Sequence, residues 1–180
     1  MKQIKLEKPD SYTLKRCQLF ADYSAGSSAD EYARRNQIDL EKIKLDIYRG
    51  KVAEYMVYNY LVSRGKSVSM PDLEIYNKHH KSFDADLVSD GVNLHVKSHF
   101  VNPRFPVSWV FQKQDKITTE KHSDDYLCLV VMTEDWNNGL YIKQSKLVTF
   151  KEPKKESLKA SKVCVYESDL LLTPIIDKRI

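Results

Sequence analysis

Two short apolar-rich runs meet at Asp90-Gly91, and that dipeptide limits what the chain can fold into more than any other. Asp-Gly between such runs is among the strongest sequence signals for a two-residue hairpin turn. With Asp90 and Gly91 in the loop, Ser89 faces Val92, Asp86 faces His95 and Asp84 faces Lys97. Side chains alternate along a strand, so Asp84, Asp86, His95 and Lys97 are expected on one side of the hairpin. Leu87, Leu94 and Val96 are expected on the other. Two carboxylates, an imidazole and an amine on one face are costly to bury without a chemical role.

A chain of 180 residues is expected to form one domain around one core. Apolar content of 42% and charged content of 30% are ordinary for a soluble protein. No run approaches the roughly 20 apolar residues that span a bilayer. Met1-Lys2-Gln3-Ile4-Lys5 leads into no apolar h-region, so a signal peptide is not expected. Cys17, Cys128 and Cys164 form no CxxC pair, which suggests reduced core thiols and a cytoplasmic chain. The net charge of +4 is compatible with a polyanionic partner without establishing one. Lys113, Lys116 and Lys121 follow the hairpin, and Lys151, Lys154, Lys155, Lys159 and Lys162 crowd a later segment; a solvated surface explains the later group at least as well as a DNA track.

Along the chain, the Ser24–Ala29 stretch reads as a loop between short helical pieces, with Ser28 or Asp30 as an N-cap. From Asp39 to about Arg64, Leu40, Ile43, Ile47, Val52/Ala53, Met56/Val57 and Tyr60/Leu61 recur at helical spacing. Asp39 caps that helix, Gly50 breaks or bends it, and Gly65 stops it. Strands are expected at Lys66–Met70, Leu73–Tyr76, about Asp84–Ser98, Val107–Phe111, Leu140–Lys143 and Lys162–Tyr166. The unbroken apolar run Tyr126–Met132 suits a strand buried on both faces. Glu167–Leu172 reads as a final short helix. The expected class is α/β, with helices flanking a mixed central β-sheet.

Phosphodiester hydrolysis needs a divalent cation to screen phosphate charge and acidify an attacking water, and Mg²⁺ prefers carboxylate oxygen. An ammonium nearby stabilises the developing charge. Asp84 or Asp86 together with Lys97 supplies that minimum.

The arrangement resembles the PD-(D/E)XK nuclease superfamily, whose restriction-endonuclease-like core is a helix followed by a hairpin carrying Asp and then (D/E)-x-K. Asp84-Ala85-Asp86 matches the first element and His95-Val96-Lys97 the second. Gly50-Lys51-Val52-Ala53-Glu54 matches the Gly-x-x-x-Glu pattern on the preceding helix, and Leu61 and Gly65 agree with its ending. Ser123-Asp124-Asp125-Tyr126-Leu127 is similar to the lead into a later core strand. The likeness covers roughly residues 45–135, within a core of about 39–135 and terminal elaborations. Order and spacing carry it, since each motif is short.

The resemblance implies a Mg²⁺-dependent DNA endonuclease, with Mn²⁺ as an alternative metal. Asp86, with Asp84 or Glu54, would hold the metal, and Lys97 would steady the water and the pentacovalent charge. His95 departs from the pattern, because it stands where the family has an acid; imidazole suits Mn²⁺ better than Mg²⁺ and can act as a base. Glu54 is expected to compensate as the second carboxylate, lying beside the apolar stripe of its helix. Gln112, Lys113, Gln114 and Lys116 are expected to meet DNA. His79 and His80 read as surface residues, and His99 as lying on the opposite face from Lys97. The small size suggests a dimeric restriction-type enzyme or a nuclease of a phage or mobile element. The rivals are a structure-selective nuclease such as a junction resolvase, and a nucleic-acid-binding module that kept the fold and lost the acid.

Overall fold

The computed structural model describes residues 3–27, 38–75, 85–119 and 124–170. A short strand, β1 (Ile4–Leu6), leads into helix α1 (Ser11–Ser27) and then the long helix α2 (Leu40–Ser63). Strands β2 (Leu87–Ser89), β3 (Val92–Phe100), β4 (Ser108–Gln112), β5 (Tyr126–Met132), β6 (Asn138–Gln144) and β7 (Lys162–Tyr166) follow. A mixed five-stranded sheet is ordered β1-β6-β5-β3-β2, with β3 and β5 parallel and the other pairs antiparallel. Strands β4 and β7 form a separate antiparallel ribbon. The α/β class and its mixed, helix-flanked sheet are as expected.

The hairpin forms in the expected register, with Ser89 opposite Val92 and Leu87 opposite Leu94. Asp90 and Gly91 both take positive φ, 48° and 80°, the conformation that matches a tight turn to the twist of its strands. The Asp90 carboxylate also accepts from the Ser67 backbone N–H at 3.1 Å, tying the turn to the segment after α2.

Helix α2 starts and stops on identifiable chemistry. The Asp39 side chain accepts from Lys42 N at 3.0 Å. At the other end Gly65, at φ +76°, donates to the Val62 carbonyl and Lys66 donates to that of Leu61. This double closure needs a left-handed residue after the cap, which glycine adopts without steric cost.

The two faces of the sheet bury different partners. Leu94, Val96, Tyr126, Cys128, Val130 and Met132 pack with Val52, Ala53, Met56, Val57 and Leu61 of α2. Leu127, Leu129, Val131 and Tyr141 pack with Trp109 and Phe111 of β4 and Val165 of β7. Strand β5 is therefore buried at every residue, as its unbroken apolar run required. The Trp109 indole N–H donates to the Val130 carbonyl at 2.9 Å and pins the ribbon to the sheet. All three cysteines are free and buried.

Several expectations are corrected. The small residues at 24–26 do not open a loop: α1 runs through them, and Ala25 is fully buried. Ser28 and Asp30 lie outside the described residues. Gly50 does not break α2, which runs on as one helix, because one residue of low propensity costs only about 1 kcal/mol against a packed face. Residues 66–70 form only a bridge between Val68 and Ser89, and Leu73–Ile75 is not a strand. Pro71 cannot donate to a ladder, consistent with that interruption. His99 shares the face of Lys97, since residues two apart along a strand point the same way; it sits opposite Val131.

Candidate active site

Strand β3 is nine residues long, but β2 pairs with it only from Val92 to Leu94. Asp86 therefore does not stand in a strand opposite His95. It occupies a bend just before β2, and its carboxylate accepts from the Val96 backbone N–H at 2.7 Å. That bond fixes Asp86 against the β3 backbone next to Lys97, by edge contact and not by cross-strand pairing. Asp84, the alternative ligand, lies outside the described residues, as do His79 and His80.

Glu54 approaches from α2. The helix is buried at every position from Val52 to Val57, because α1 covers one side and the sheet another. Glu54, beside the apolar stripe, is therefore only 7% exposed. Lys51 Nζ lies 2.8 Å from its carboxylate. Burial pushes the Glu54 carboxyl up to about 7, opposed by Lys51, reinforced by the negative charge of Asp86, and opposed again by Lys97.

Lys97 and His95 project from the ribbon side of β3, opposite Leu129 and Leu127. Lys97 Nζ lies 5.9 Å from the centre of the Phe111 ring, so β4 forms one wall around it. His95 makes a different connection. Its Nε2 is 3.0 Å from Asp125 Oδ2, and Asn93 Nδ2 donates to Asp125 Oδ1 at 3.2 Å. Asp125 immediately precedes β5, beside β3. In the sequence Asp125 leads into a strand with no visible partner; the parallel register of β3 and β5 supplies one.

His99 lies farther along the same face, with its Nε2 buried and without a hydrogen-bond partner among the described residues. Burial holds its pKa below the usual value, opposed by its bond with the Ser108 backbone and by Glu167.

The residues expected to meet DNA lie at the end of β4 and in the turn after it. Gln112 is half-buried, whereas Lys113, Gln114 and Lys116 are exposed. The turn is well braced: the Gln112 carbonyl accepts from Asp115 N and Thr118 Oγ1, and Lys113 N donates to the Ser161 carbonyl. Gln112 directly follows Phe111, the residue beside Lys97, which connects this turn to the candidate site.

Among the described residues no three His, Cys, Asp or Glu side chains gather closely enough to hold a metal ion by themselves. Mg²⁺ does not require three, because it keeps several waters and often uses one or two carboxylates plus substrate phosphate. Glu54 and Asp86 supply that donor chemistry: both are carboxylates, one buried on α2 and the other fixed at the β3 backbone by the Val96 N–H.

No protein-family model, curated protein or solved structure matches the chain. No helix among the described residues is long and apolar enough to cross a membrane.

Proposed function

We propose that this chain is a Mg²⁺- or Mn²⁺-dependent DNA endonuclease. The observation that carries the reading is the Asp86 carboxylate held by the Val96 backbone N–H, one residue before Lys97, with the buried Glu54 on the helix that packs against this strand. Helix acid, hairpin acid and hairpin lysine occur in the order of the PD-(D/E)XK pattern, which supports the reading.

Glu54 and Asp86 would hold the cation, with Asp84 as the further candidate; the cation supplies charge screening at phosphate and acidification of the attacking water. The Val96 N–H holds the Asp86 carboxylate in place, so it need not reorganise during reaction. Lys97 offers a fixed positive charge to the phosphoryl oxygens as negative charge accumulates. Lys113 and Lys116, with the amides of Gln112 and Gln114, would track the DNA backbone.

The test is nicking of supercoiled plasmid and of a single-stranded circle, with Mg²⁺, Mn²⁺ or EDTA. Metal-dependent cleavage of either substrate supports the reading. A four-way junction cut in preference to both identifies the junction-resolving variant of the same chemistry.

One observation favours a second reading. His95 is joined to Asp125 at the position where the resemblance calls for an acid. A nucleic-acid-binding module with this fold would retain DNA affinity and cut none of these substrates with either metal.

A further inference from the structure

Lys51 stands one helical turn before Glu54, and its ammonium lies 2.8 Å from Glu54 Oε2. Both side chains are largely enclosed, at 18% and 9% exposure. The same ammonium lies 5.1 Å from the centre of the Phe20 ring on α1, so it already rests against that ring while it holds Glu54. The face of an aromatic ring attracts a cation, and a lysine stem is long and flexible enough to release one partner while keeping the other. Next to Lys51, a Cβ placed on Gly50 would meet nothing within 4 Å, so the helix has open space there.

We propose that Lys51 is an internal surrogate cation: it neutralises Glu54 in the metal-free protein and must give way before a divalent ion can use that carboxylate. Lys51 thereby sets how much metal the site needs. The inference rests on the assignment of Glu54 as a metal ligand. Two cations competing for one buried carboxylate repel each other, so the lysine weakens metal binding even as it stabilises the metal-free fold.

The experiment is calorimetric titration of Mn²⁺ into the full chain, with melting temperatures recorded with and without Mn²⁺. Lys51→Met is expected to bind Mn²⁺ at least about tenfold more tightly than the parent. Its metal-free melting temperature falls, and Mn²⁺ raises it by more than in the parent. Lys51→Arg keeps the charge with a fork that grips a carboxylate better, so it binds Mn²⁺ more weakly than the parent and remains informative if the Met variant does not fold. Equal Mn²⁺ affinity in the parent and either variant, together with loss of binding in Glu54→Gln, overturns the role of Lys51 and leaves Glu54 a ligand. Unchanged Mn²⁺ binding in Glu54→Gln, or no binding in the parent, removes the ligand assignment and the surrogate role together.

Discussion

His95 Nε2 lies 3.0 Å from Asp125 Oδ2, so the imidazole in the position of the missing acid is anchored to the start of the neighbouring strand. Glu54, by contrast, is buried on α2 with its carboxyl pushed up by burial, and Asp86 adds to that rise. Metal-dependent cleavage should therefore fall further in Glu54→Ala than in His95→Ala, with both variants compared at equal folded fraction. Equal cleavage by the two variants contradicts the assignment of Glu54 as the compensating carboxylate.

The Glu54 carboxyl also gives stability a pH dependence. Its folded value, about 7, lies above the ordinary 4.5, chiefly through burial. The folded chain therefore binds this proton more tightly than the unfolded chain does, and the resulting stability is lost as pH rises from about 4.5 to 7. Glu54→Gln lacks that dependence. In EDTA the variant should gain on the parent across this window, by on the order of 3 kcal/mol at most, and the difference should level off above it. Urea titrations at intervals from pH 4.5 to 8 measure this directly; parallel stability curves contradict the burial of an ionisable Glu54.

Much of this was legible in the sequence, for physical reasons that differ from element to element. Asp90-Gly91 fixed the hairpin register because few dipeptides accept two positive φ values in succession. Tyr126–Met132 announced its double burial by having no polar position. What the sequence concealed depended on distant partners. Glu54 looks like a flank residue until α1 is laid against α2, and Asp125 has no visible partner until β5 is set beside β3. Asp86 follows the strand alternation on paper, yet the short β2 leaves a β3 edge N–H for its carboxylate to meet. The 24–26 segment shows the same override, since burial of Ala25 outweighs the loop preference of its Ser and Gly neighbours.

Gly50 offers a test of the open space beside Lys51. A Cβ there meets no atom within 4 Å, and the residue sits inside a continuous helix. Gly50→Ala should stabilise the chain by about 1 kcal/mol, from helix propensity alone. A fall in melting temperature contradicts the open packing around this position.

Lys113 and Lys116 are exposed on the braced turn after β4. If both meet phosphates of a duplex, neutralising them together should reduce the slope of log affinity against log salt by about 1.8. Binding titrations of Lys113→Gln/Lys116→Gln between low and moderate salt check this. An unchanged slope places the DNA path elsewhere.

Mn²⁺-dependent nicking of supercoiled plasmid by the parent, Asp86→Asn and Lys97→Ala, with unfolding curves recorded alongside, tests the hairpin site most directly. Asn keeps an oxygen that can accept the Val96 N–H, so the first variant removes charge while sparing that bond. Both variants should melt close to the parent and lose at least about a hundredfold in nicking rate. Nicking at the parent's rate by both well-folded variants contradicts the placement of hydrolytic chemistry at the helix–hairpin junction.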